Sequence, residues 1–200
     1  MTSDLSNEAI RQLVLDTEDN IKKIESYNED FAVVALNEWR YATHHAIDMM
    51  CGLDSGDNRT QAVCHLKRAY FDSADILLNC LLEKFGNMHR VFRDYAPIVR
   101  DYIKDYPDKL KKAKEAKRFH GKASQIENRE DFYEEIKKLC QSLEAFVEEL
   151  EDTEDDWRAL VRKARQKDRL KFWGTIVAIT GVVWKLLPGD FWSKVSSLIK

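Results

Sequence analysis

The chain has 200 residues, a length that allows one domain with an appendage or two small domains. Its seven glycines and three prolines are too few for the turns of a β-rich protein, and most apolar residues recur at helical spacing, so we predict an all-α fold. The formal net charge of -3 excludes neither acidic nor basic partners. Basic residues cluster at 109–122 and 162–171, and acidic residues cluster at 127–156.

The first half of the chain predicts three helices. Apolar spacing indicates an amphipathic helix over residues 7–27, with Ser6 as its N-cap. Two more helices are expected over 30–51 and 60–85, and Gly86 is expected to cap the end of the second.

The second half begins with an aromatic, irregular segment at 88–106, which Pro107 is expected to end. A basic helix over 108–120, closed by Gly121, should be exposed to solvent. The helix that starts near Asn128 carries a short heptad seam, which indicates packing within a bundle. The seam consists of Phe132, Ile136, Leu139, Leu143, Phe146 and Leu150.

Two polar stripes mark the helices predicted over 30–51 and 60–85. Residues three and four positions apart share a helix face. If the two helices fold antiparallel, Arg40 comes level with Asp72 and Asp75. Asp48 then approaches His65, and His44 approaches Arg68. Such pairs predict a buried structural network, and a ligand-sensing or partner-gating site is the alternative. The first stripe comprises Asn37, Arg40, His44 and Asp48, and the second comprises His65, Arg68, Asp72, Asp75 and Asn79.

Two arginine–histidine spacings carry a family resemblance. Arg40 and His45 form R-x4-H, and Arg59 and His65 form R-x5-H. Within a small helical bundle this pattern resembles the signature of the HEPN superfamily, and residues 30–85 also resemble small bacterial helical proteins. The resemblance implies a HEPN-like antiparallel bundle. If the activity carries over, it implies metal-independent RNA cleavage at a dimer interface. Arg40 would then neutralise the phosphate, and His45 would act as general acid or base.

Other constellations are weaker. Cys51, Cys64 and His65 lie near one turn, but a fourth zinc ligand at normal spacing is lacking, so no metal site is predicted. The sequence contains no phosphate loop, nucleophile elbow or dinucleotide fingerprint, so no cofactor is expected. The four cysteines form no C-x-x-C pair and indicate reduced thiols. The basic segment 109–122 is a candidate surface for RNA, a protein or anionic lipid.

An uncharged apolar run extends from Phe172 to Trp184, directly after a basic flank at 162–171. It is shorter than the roughly 20 residues that cross a bilayer. The tryptophans at its ends and the basic flank nevertheless favour membrane association, and the amphipathic tail 191–200 is expected to lie in an interface. Burial as a hairpin of the bundle is the alternative. The residues predicted to associate with the membrane are Phe172, Trp173, Gly174, Ile176, Ile179, Gly181 and Trp184.

Together these patterns predict a helical bundle over 1–168 and a membrane segment over 169–200. The bundle divides into a HEPN-like core at about 7–87 and charged helices at 88–168. The build resembles membrane proteins of bacterial defence systems, including those that accompany RNA-targeting CRISPR enzymes. That resemblance implies an oligomerising, non-catalytic effector or accessory at the inner membrane, with its bundle in the cytoplasm and with lipid and further copies as partners. A HEPN ribonuclease and a soluble cytoplasmic adaptor are the alternatives. The polar N-terminus lacks the apolar run of a secretory signal, so none is expected.

Overall fold

A computed structural model describes residues 5–27, 32–53 and 57–186, of which 183–186 are described by their backbone only. Every regular element in these ranges is helical, which confirms the predicted all-α class. Within the described ranges, the 3₁₀ turn Arg93–Tyr95 joins α3 to α4, and the 3₁₀ turn Arg129–Asp131 lies between α5 and α6. The helices are α1 (Asn7–Tyr27), α2 (Val33–Met50), α3 (Asn58–Phe92), α4 (Ala96–Arg100), α5 (Tyr106–Ala123), α6 (Tyr133–Asp152) and α7 (Glu154–Leu186).

The 35-residue helix α3 forms the centre of the bundle. It packs against α1, α2, α5 and α6, because its apolar residues occur almost all round the helix. Helix α6 runs parallel to it: the Cys140 thiol donates to the Ala74 carbonyl at 3.1 Å, and the Phe146 ring lies 5.2 Å from the Phe85 ring. A single cluster of buried side chains therefore includes residues from Leu13 to Val161.

Two predicted helix ends and one predicted segment end are wrong. Helix α3 continues through Gly86 to Phe92, because Met88 and Phe92 extend its buried face. Helix α5 likewise runs through Gly121. Pro107 lies in the first turn of α5 rather than closing the preceding segment, and that is a position where proline's missing N–H has no helical partner to lose.

Local signals located other features correctly. The Ser6 hydroxyl accepts the backbone N–H of Ala9 at 3.2 Å, as an N-cap does. Four members of the α6 seam are buried, whereas Leu139 is half-buried and Phe132 is exposed. The buried members are Ile136, Leu143, Phe146 and Leu150.

The basic helix α5 is not exposed on all sides, because Ala113, Ala116 and Ala123 are buried. Its small residues form the face that packs against the bundle, and most of its lysines face solvent.

Candidate functional site

The first polar stripe lies on the solvent-facing side of α2. Asn37, Arg40 and His44 are exposed, and the guanidinium carbon of Arg40 lies 5.3 Å from the centre of the Tyr41 ring. The His44 ring pairs within its own helix, with Nδ1 3.4 Å from Asp48 Oδ2. The stripe therefore does not enter the interface with α3.

Small residues form the opposite, buried side of α2. Ala35 and Ala42 are its buried residues, and they let the helix approach α3 without burying charge. Three larger apolar residues of α2 face solvent instead, namely Leu36, Ile47 and Met50. Since the charged stripe points to solvent, the predicted pairing of Arg40 with Asp72 and Asp75 is wrong.

Two histidines meet where α2 contacts α3. The rings of His45 and His65 stack with their centroids 5.4 Å apart and a 14° angle between their planes. His45 Nδ1 lies 3.0 Å from Asn58 Oδ1, and His65 Nδ1 lies 2.8 Å from Glu38 Oε2. Amide and carboxylate oxygens only accept hydrogen bonds, so Nδ1 carries the proton in both rings. In the neutral rings Nε2 is then the basic atom, which is a chemistry that suits proton transfer.

The register of this contact differs from the predicted one. The sequence predicts that His65 approaches Asp48, but His65 pairs with Glu38, which lies ten positions earlier on α2. Helix α2 is also uninterrupted between Arg40 and His45. Five helical steps place these two residues about 140° apart. Within one chain, the two members of the R-x4-H motif therefore lie on different faces of α2.

Beyond His65, the second polar stripe pairs with the end of α5 and with the segment that joins α5 to α6. The Arg68 guanidinium donates from Nε and Nη2 to the two carboxylate oxygens of Glu130, both at 3.0 Å. This double hydrogen bond lowers the pKa of Glu130 and raises that of Arg68. The Asp75 carboxylate lies 2.8 Å from His120 Nδ1. The predicted approach of His44 to Arg68 is therefore wrong.

Asp72 is the most buried acid of the second stripe, with its side chain only 8% exposed. Arg129 donates to Asp72 Oδ1 at 2.7 Å, and Oδ2 has no hydrogen-bond partner among the described residues. Burial raises the pKa of Asp72 from 3.8 to about 6, although Arg129 acts in the opposite direction. Its partner was missed because Arg129 lies 57 positions away in the sequence, where no local spacing rule applies.

The apolar run of the C-terminus continues α7 out of the bundle. Trp157 anchors the start of this helix: its ring is buried, and Nε1 donates to the Leu150 carbonyl at 2.9 Å. Further along, Arg165 donates to the Val91 carbonyl at 2.6 Å, and the Tyr95 hydroxyl donates to Asp168 Oδ2 at 3.2 Å. Every side chain from Arg165 to Val182 is exposed.

Burial of this run as a hairpin of the bundle is therefore wrong over its described part. Phe172 and Trp173 are 63% and 62% exposed, and Ile176, Val177, Ile179 and Val182 are exposed as well. No described helix is both long enough and apolar enough to cross a bilayer. The side chain of Trp184 and the tail 191–200 lie outside the described residues.

The described residues contain no group of three or more histidine, cysteine or acidic side chains that could hold a metal ion. No protein-family model, curated protein or solved structure matches the chain.

Proposed function

We propose that this protein associates with membranes through the exposed half of α7, and that it acts there without catalysis. The observation that carries the proposal is the run of exposed apolar side chains from Leu170 to Val182, on a helix that has left the bundle. Contiguous apolar surface of this kind marks an interaction site. Removing a large apolar side chain from water contributes about 1.5–3 kcal/mol when burial is complete.

The charge next to this run favours an anionic lipid surface. Residues 162–171 hold six lysines and arginines and one aspartate. Each basic residue near an anionic membrane contributes about 1 kcal/mol of attraction. Because these residues occupy the same helix directly before Phe172, headgroup contacts and apolar insertion can form together.

The insertion is proposed to be shallow and shared by several copies. From Leu170 to Leu186 the helix extends about 25 Å, against about 30 Å of hydrocarbon in a bilayer. Gly174 and Gly181 lie on this segment, and an added Cβ at either would meet nothing within 4 Å in the described chain. Glycine weakens a helix interior, and small residues let membrane helices approach one another closely.

The biological role proposed is that of an effector or accessory of a bacterial defence system, placed at the inner membrane with its bundle in the cytoplasm. It would act by perturbing the membrane or by binding a partner, for which the basic helix α5 offers a surface for protein or RNA. This role rests on the resemblance of the build, a helical bundle followed by a membrane segment, to membrane proteins of bacterial defence systems. Ribonuclease activity of Arg40 and His45, and a soluble adaptor role, remain the alternative hypotheses.

Flotation of the full chain with lipid vesicles tests membrane association. We expect it to float with vesicles that contain phosphatidylserine and to be released as salt is raised, because salt screens the basic flank. Ile179→Lys should weaken binding at least about tenfold, because lysine is unfavourable within the apolar layer. Val33→Lys is the matched control, since Val33 and Ile179 are both 58% exposed.

Equal flotation of the two variants, or no flotation of the unaltered chain, would overturn the membrane proposal. An RNA-cleavage assay tests separately the proposal that the protein acts without catalysis. Cleavage that disappears in both Arg40→Ala and His45→Ala, with the fold retained by circular dichroism, would establish the ribonuclease alternative.

A further inference from the structure

A groove of about 430 Å³ opens at the end of the bundle where α1 starts, α2 ends and α3 starts. Ile10 and Val14 of α1, Trp39 and Met49 of α2, and Leu66 of α3 contribute apolar walls. The volume lies within the usual range of about 300–1,000 Å³ for small-molecule sites. Alanines at 42, 46 and 62 leave the space between the three helices open.

Two arginines give the lining of this groove a positive charge. Arg11 and Arg59 both line it, and none of the lining residues that the structure describes carries a carboxylate. Arg59 is held in place by two hydrogen bonds from Nη2, to the Leu5 carbonyl at 3.0 Å and to Asn7 Oδ1 at 3.1 Å. A guanidinium carries further N–H donors on Nη1 and Nε. Among the described residues Arg11 makes only a long 3.4 Å pair with Glu8, and both of these side chains are largely exposed.

We infer that the groove binds a single-chain anionic amphiphile, namely a medium-chain fatty acid. The alkyl chain lies against Trp39, Met49 and Leu66, and the carboxylate lies between Arg11 and Arg59. Arginine suits this role because its N–H groups make charge-assisted hydrogen bonds to a carboxylate. The apolar walls and the cationic lining together match a ligand that has one apolar chain and one negative group.

This site is separate from the proposed membrane segment. The groove reaches α3 at Val63 and Leu66, whereas Arg165 of α7 contacts α3 at Val91, near the other end of α3. About 40 Å of helix separates the two places. The inference therefore does not depend on membrane association, and either one can fail alone.

Calorimetric titration of the full chain with decanoate, below its micelle concentration, tests the site. We expect saturable binding of one decanoate per chain and at least tenfold weaker binding by Ala46→Phe, whose ring fills the groove. Ala145→Phe is the matched control, because Ala145 is also an exposed alanine in a helix but lies outside the groove. Arg11→Gln should weaken decanoate binding severalfold, whereas Arg118→Gln on α5 should leave it unchanged.

Decanol, which has the same chain without the charge, should bind at least tenfold more weakly than decanoate. Thermal unfolding of each variant shows whether its fold is intact, and Arg11→Gln changes only an exposed side chain. Three outcomes would each overturn the inference: equal binding by Ala46→Phe and Ala145→Phe, equal binding of decanol and decanoate, or no saturable decanoate binding by the unaltered chain. If Ala46→Phe instead dissociates an oligomer in the absence of decanoate, the groove holds a second copy of the chain and the fatty-acid site is refuted.

Discussion

At the scale of single residues, burial decides how much a charged side chain contributes to stability. Asp72 is enclosed and depends on Arg129, whereas Arg40, which belongs to the most conspicuous motif of the sequence, is exposed. A buried charge that loses its partner keeps its desolvation cost, but an exposed charge is solvated by water. The two arginines are therefore expected to contribute very differently to stability.

Replacing each arginine by methionine tests this difference. Arg129→Met should lower the free energy of unfolding by about 2 kcal/mol, because it leaves the Asp72 carboxylate without its ion pair. Arg40→Met should change it by less than about 0.5 kcal/mol, as is usual for an exposed side chain. Urea unfolding at pH 7 measures both values. A larger loss in Arg40→Met than in Arg129→Met would contradict the observed pairing.

The raised pKa of Asp72 also predicts a pH dependence. A carboxyl with a pKa of about 6 in the folded state and 3.8 in the unfolded state binds its proton more tightly when folded. Its contribution to stability therefore falls as pH rises from about 3.8 to 6, and it stays constant above that range. Asp72→Asn removes this titration. The stability of the variant relative to the unaltered chain should rise by roughly 2–3 kcal/mol between pH 4 and pH 7.

Chemical denaturation across this pH range measures the predicted change. Asp156→Asn serves as the control, because Asp156 is an exposed acid in the first turn of α7. If Asp72→Asn and Asp156→Asn follow the same curve, Asp72 does not titrate in this window.

At the scale of helices, side-chain packing overrode the usual end signals. Gly86 would end a helix if only local conformation mattered, yet α3 continues for six more residues because Met88 and Phe92 are buried beyond it. Side-chain packing also decides which residues of α2 are buried. Ala35 and Ala42 are buried, while several larger apolar side chains are exposed, because small residues allow α2 to approach α3 closely.

A glycine substitution distinguishes a residue within a helix from one at a helix end. An added Cβ at Gly86 would meet nothing within 4 Å, so Gly86→Ala should stabilise the fold by about 0.5–1 kcal/mol. Gly52→Ala should destabilise it, because Gly52 has a φ of 70° that side chains rarely adopt. Thermal unfolding compares the two variants. Destabilisation by Gly86→Ala would indicate that α3 ends there.

At the scale of the whole molecule, the bundle and the projecting helix have opposite relations to water. Around α3 the chain buries one cluster of side chains that includes residues from Leu13 to Val161. Beyond Asp168 the same chain exposes large apolar side chains on a continuous helix. The bundle buries its own core side chains, whereas the apolar side chains at the end of α7 stay in contact with water. This is the form expected of a helix whose apolar side chains become buried against another surface.

The sequence by itself determined the helical class, the N-cap of α1 at Ser6, most of the seam of α6 and the apolar character of the end of α7. These features depend on residues a few positions apart, where helical periodicity acts directly. Only the tertiary structure decided that Asp72 pairs with Arg129, that Arg68 pairs with Glu130, and that the stripe containing Arg40 faces solvent. The Asp72 and Arg68 pairs join residues 57 and 62 positions apart. Their formation depends on how the helices pack, which the spacing of residues within one helix does not specify.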